Sequence, residues 1–73
     1  MKAKLIFELP EDQHGWYMAV NASGMHCVLN EFDQWLRSKI KYEDLNDDQH
    51  QVYQACRDQL RTLLYEENID LDK

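Results

Sequence analysis

The segment Leu29-Asn30-Glu31-Phe32-Asp33-Gln34-Trp35-Leu36-Arg37 constrains the fold most. Its apolar residues recur at steps of three and four with charges between them, the pattern of a helix with one buried stripe. Met25, Val28, Leu29, Phe32, Trp35, Leu36 and Ile40 continue the stripe and predict a helix from about Met25 to Lys41. Asp33 and Arg37 stand four apart and are expected to pair on the wet side, contributing a few tenths of a kcal/mol. The segment defines architecture and carries no chemistry of its own.

A polar connection, Tyr42 to Asp48, follows. Asn46 is a good N-cap and Gln49, three residues on, completes a capping box. The next helix then runs to about Glu66, with Val52, Cys56, Leu60, Leu63 and Leu64 as its stripe and Ala55 beside them. Asn68 suits a left-handed end to that helix. Near the start, Ala3, Leu5, Phe7 and Leu9 alternate with Lys2, Lys4, Ile6 and Glu8, which reads as a strand with one buried face. Pro10 stops it, and Glu11 and Asp12 suit the first turn of a leading helix from Pro10 to about Val20. The rival for that segment is a hairpin, with Gly15 at a turn and strand-like residues from Trp16 to Val20. Asn21-Ala22-Ser23-Gly24 then marks a break or kink. Ile69-Asp70-Leu71 alternates again, and this tail, from the same chain or a second copy, is the simplest partner for the N-terminal strand.

The expected architecture is therefore mostly α with a minor α+β element, in one small domain of residues 1–73. Two long antiparallel helices join a shorter leading helix, and a small N-terminal strand pairs with the C-terminal tail.

The chain has 73 residues, and a domain this small buries only about 60% of the surface its unfolded chain exposes. Cys27 and Cys56 form one bridge at most. The start, Met1-Lys2-Ala3-Lys4, lacks a signal-peptide pattern, and no apolar run approaches the roughly 20 residues of a membrane span. These features predict a cytoplasmic protein with reduced thiols, no membrane partner, and a homodimer as the remaining source of stability.

The net charge is −6, with acids at Glu11-Asp12, Glu43 to Asp48 and Glu66 to Asp72. A free-standing nucleic-acid binder shows a basic patch. Arg37, Lys39 and Lys41 make only a short basic step that suits a helix C-terminus, so no direct nucleic-acid partner is expected.

Catalytic and metal chemistry find little support. His26, Cys27, His50 and Cys56 are zinc-capable types, but His26 and Cys27 are adjacent and diverge by about 100° on a helix. The same adjacency gives no thiolate–base geometry. No G-x-S-x-G, glycine-rich phosphate loop or H-E-x-x-H occurs, and calcium-loop spacing is missing around Asp44 to Asp48. The expectation is a non-enzyme with no cofactor and no metal.

Two groups remain as binding candidates. Glu43, Asp44, Asp47 and Asp48 form either a recognition surface that mimics DNA phosphates or a solvated loop with helix-start acids. Trp16 and Tyr17 belong to a heavy aromatic load that includes Phe32, Trp35, Tyr42, Tyr53 and Tyr65. A short helix cannot bury both sides, so these two are the candidates to face a partner, and the favoured alternative is core or self-interface.

The order Leu5-Ile6-Phe7-Glu8-Leu9-Pro10-Glu11-Asp12, then Val28 to Arg37 with its D-Q-W-L-R, Ile40-Lys41-Tyr42, Cys56 to Leu64 and Glu67 to Leu71 resembles a group of small proteins encoded by tailed bacteriophages. The likeness spans nearly the whole chain. It implies a phage protein made inside a bacterial cell, and it brings no functional residues with it.

Together these readings predict a phage accessory protein that binds a host or defence protein and inhibits it sterically through an acidic, aromatic-bearing helical surface. The alternatives are a structural or assembly oligomer, and a nucleotide-binding dimer. In the last, Lys39, Lys41, Arg57 or Arg61 would hold phosphate while an aromatic ring stacks on the base.

Overall fold

The computed structural model describes residues Met1 to Asp72. It is a helical hairpin: α1 (Gln13–Tyr42) and α2 (Asp47–Glu66), joined by Glu43 to Asn46. Two long helices were legible in the pattern, and α2 starts as its cap predicts. The Asn46 side chain accepts a hydrogen bond from the Gln49 backbone N–H at 2.9 Å, and Gln49 Oε1 accepts from Asn46 N–H at 3.2 Å. Asp47 and Asp48 lie in the positive first turn of α2, and Lys39 and Lys41 in the negative last turn of α1.

The N-terminal third differs from expectation. No separate leading helix exists, and no break occurs at Asn21 to Gly24. Gln13 to Val20 is helical, which excludes the hairpin, but as the first turns of one 30-residue α1. A helical glycine costs about 1 kcal/mol relative to alanine, too little to stop a helix that can propagate on both sides. Glu11 and Asp12 precede the helix instead of filling its first turn. Asp12 Oδ2 accepts from Glu8 N–H at 3.0 Å, and Asp12 N–H donates back to the Glu8 carbonyl at 2.7 Å, so residues 8–12 form a closed turn.

Among the described residues there is no strand. Residues 1–8 lack regular structure, and the C-terminal tail that should have paired with them folds onto the helices. Asn68 takes the left-handed conformation, φ 57°, as its residue type suggests. Ile69 N–H then donates to the Leu64 carbonyl at 2.9 Å, and Leu71 is buried. Leu71 gains more from that apolar site than from an edge of two short strands.

The core is much thinner than the two stripes imply. Leu36 and Leu64 are buried, and Met25, Leu29, Ile40 and Leu60 are half-buried. Val28, Phe32, Trp35, Val52, Cys56 and Leu63 are exposed. Both cysteines are free thiols on the surface. The reason is angular: at about 100° per residue, Val28 and Leu36 stand about 80° apart around α1. One facing helix cannot cover both.

The centre of the hairpin is instead polar. Asp33 is 0% exposed and does not pair with Arg37. It sits on the α2-facing side, about 60° round the axis from Leu36. Arg57 donates Nε to its Oδ1 at 3.1 Å and Nη2 to its Oδ2 at 3.4 Å. Arg61, one turn along α2, donates Nε to Oδ1 at 3.0 Å and Nη2 to Oδ2 at 2.6 Å. The roughly four lone-pair positions of the carboxylate are all used. Burial alone would raise the Asp33 pKa, but the hydrogen bonds and charges of Arg57 and Arg61 outweigh it and hold it below the ordinary aspartate value.

Removing one member of a fully buried ion pair typically costs about 3–5 kcal/mol, whereas replacing the whole set with apolar residues is often neutral. The cost is lowered here because Arg57 and Arg61 keep 21% and 44% of their side chains exposed. Asp33→Ala leaves two facing arginines and should remove most of the stability of so small a domain, read as loss of the helical thermal transition. The triple change Asp33→Leu, Arg57→Met, Arg61→Leu should restore a transition near that of the wild type. Because the folded pKa is depressed, the stabilisation is present above about pH 4 and should fade as pH falls through the folded value. In Asp33→Asn that acid loss should be smaller.

Candidate functional site

Near its connection the hairpin exposes an aromatic cluster. Phe32 and Trp35 come from adjacent turns of α1, with ring centroids 6.1 Å apart and planes 13° from parallel. Tyr53, from the second turn of α2, meets Trp35 edge-on at 5.9 Å and 68°. Lys39 Nζ lies 5.3 Å from the Trp35 ring centroid and 3.4 Å from Glu43 Oε1. The ammonium thus stands over a ring face, where the negative quadrupole attracts it, and it also pairs with the Glu43 carboxylate.

Beside these rings runs an open groove of about 470 Å³, lined by Phe32, Trp35, Leu36, Val52, Tyr53 and Cys56, with Asp48 and Gln49 at one end. Trp35 is 49% and Val52 62% exposed, so the walls are side chains with one free side rather than core. The apolar walls and single acidic end suit an apolar or aromatic side chain that carries a cation next to it.

The sequence-predicted binding residues do not form one surface. Trp16 and Tyr17 lie near the start of α1; Glu43 and Asp44 lie in the connection, and Asp47 and Asp48 in the first turn of α2. At 1.5 Å per residue, Trp16 and Tyr42 are about 39 Å apart along α1. Of the four acids, Asp48 lines the aromatic groove. Tyr17 lines a different groove, with Asn21, Gly24, Met25, Val28 and Leu29. The sequence pattern puts Phe32, Val52 and Cys56 on the core stripes and Tyr53 in the general aromatic load, away from the predicted binding residues. Their signal was available: the apolar arc on each helix is wider than one neighbour can cover.

The arginines offered as phosphate ligands are engaged elsewhere. Arg57 and Arg61 both donate to Asp33, and Asp70 and Asp72 add negative charge around Arg61. Among the described residues no three His, Cys, Asp or Glu side chains gather in a metal-binding arrangement. His26 Nε2 lies 3.3 Å from the Asp70 carbonyl, across the far end of the hairpin. No helix is long and apolar enough to cross a membrane among the described residues.

Comparison with protein-family models, curated proteins and solved structures gave no match.

If the groove is a surface rather than part of the core, Val52→Asp should change the thermal stability by no more than about 0.5 kcal/mol. A loss of several kcal/mol in a melting experiment would show that Val52 is packed in solution.

Proposed function

We propose that the chain is a non-catalytic protein-binding module, a phage accessory protein that acts inside the bacterial cell by blocking a host or defence protein. The observation that supports this most is the aromatic groove of Phe32, Trp35, Val52 and Tyr53 set beside an acidic turn. Large aromatics around a concave apolar spot are the side chains that carry most binding energy at protein interfaces. Charged groups around such a spot steer encounter and select the partner's sign of charge. Glu43, Asp44, Asp47 and Asp48 therefore favour a partner whose apolar anchor is flanked by lysine or arginine. Occupying such an anchor site blocks it sterically, and no bond chemistry is required.

The expected result of a tagged pull-down from nuclease-treated bacterial lysate, read by mass spectrometry, is one strongly enriched protein. With that protein purified, Trp35→Ala should weaken binding by about 30-fold or more, the size of an interface hot spot. The Asp47→Asn, Asp48→Asn double variant should mainly slow association and flatten its salt dependence. Equal capture by the wild type and by Val52→Asp would reject the groove as the binding site, and no enrichment at all would reject the function.

A further inference from the structure

α1 is about 45 Å long and α2 about 30 Å, and the two are joined at the Tyr42–Asp47 end. Asp33 lies opposite Arg57 and Arg61, which puts the end of α2 level with about His26, near where the tail carbonyl of Asp70 meets the imidazole. The first turns of α1, Gln13 to Met25, project past it. Phe7 lies against this projection, 3.4 Å from the position a Cβ would take at Gly15. An isolated helix of this length is marginal in water.

The projection carries an uncovered apolar face. Tyr17, Asn21, Gly24 and Val28 follow steps of four, three and four, and so fall within about 60° of one another on α1. Met25 and Leu29 flank them, and together they line an open groove of about 550 Å³. A Cβ at Gly24 would meet nothing within 4 Å, so the space above that backbone is free for another helix.

We infer that a second copy of this chain covers this face, with the two α1 helices antiparallel about a two-fold axis between Ala22 and Ser23. Three observations select a second copy over a different partner. First, the spacing reads the same in both directions: Tyr17 meets the other chain's Val28, and Asn21 meets its Gly24, so a bulky or polar side chain faces a smaller one at every level. Second, from Gln13 to Asn30 there is no Asp, Glu, Lys or Arg, in a chain of 22 such residues and net charge −6. Self-pairing here opposes no like charges, and a basic partner would find no acid to meet. Third, the area fits. The chain exposes 6463 Å², against about 4,800 Å² for a compact monomer of its 8.8 kDa mass. Its radius of gyration is 16.9 Å, against about 11 Å for a compact domain of this length. The excess of about 1,700 Å² includes residues 1–8 and the aromatic groove, and as a whole it falls in the range an obligate dimer buries, about 1,000–2,500 Å² per chain. In this register the helix pairing ends near Phe32, where the other chain's α1 begins, and Val52 and Tyr53 lie beyond it.

Sedimentation equilibrium on the full chain tests this, with circular dichroism as the control for folding. The wild type should be a dimer at 10 µM. Gly24→Gln improves helix propensity and its Cβ meets nothing within 4 Å, so helicity should hold or rise while dimerisation weakens at least 100-fold. Val28→Asp, at a position 65% exposed in the single chain, should do the same by placing a charge in the interface. Val52→Asp should leave the dimer unchanged, which separates this face from the aromatic groove. A wild-type monomer at 100 µM, including one that binds lipid vesicles or another protein through this face, would overturn the inference. So would unchanged dimerisation of the folded Gly24→Gln and Val28→Asp variants.

Discussion

Asp33 accepts four hydrogen bonds from two arginines that stand one turn apart on the opposite helix, and the position of α2 along α1 follows from that geometry. Sliding α2 by one turn would leave one guanidinium facing no carboxylate and would shift Leu64 away from its buried site. Apolar contacts alone are tolerant of such slips, because leucines along a helix are nearly interchangeable partners. A buried carboxylate is not tolerant: unpaired, it loses water and gains nothing in return. The clasp therefore supplies register where three buried leucines supply little.

A polar centre leaves apolar surface to be placed elsewhere. On α1 the side facing α2 is used by Asp33, Leu36 and Ile40, which pushes Val28, Phe32 and Trp35 to the next side round the axis. On α2, Arg57 and Arg61 take the inner positions that Cys56 and Leu60 would share, and Val52 and Leu63 face outward. The uncovered residues collect in two places with different electrical surroundings. One is the aromatic groove beside the acidic connection, and the other is the uncharged projection of α1. The first suits a partner of opposite charge. The second suits a surface identical to itself.

The helical content, the α2 cap and the left-handed Asn68 were legible in the sequence because each rests on local chemistry: periodicity, a side chain reaching three residues along, and one backbone angle. The strand at Lys2 to Leu9 was misread because alternation shows only what a segment would do with a partner. Its candidate partner, Ile69 to Leu71, was claimed by the end of α2. The break at Asn21 to Gly24 was misread because a glycine's penalty is small beside continuous helix on both sides. The sequence points Asp33 to the wet side, because an acid four residues before Arg37 has an obvious local mate. Nothing local says that Arg57 and Arg61, more than twenty residues away, make a better one. The aromatic groove was hidden for a related reason: periodicity shows that Phe32, Trp35 and Val52 share a side with the core, and only the crossing of the two helices shows how much of that side is covered.

One chain folds as a hairpin registered by Asp33, and the pairing proposed along α1 with a second copy adds to its stability. Thermal unfolding followed by far-ultraviolet circular dichroism across a hundredfold range of protein concentration tests this most directly. If folding and pairing are coupled, the midpoint rises steadily with concentration, by mass action. A single midpoint, unchanged from the most dilute sample to the most concentrated, would show that the lone hairpin is already complete and would contradict the account.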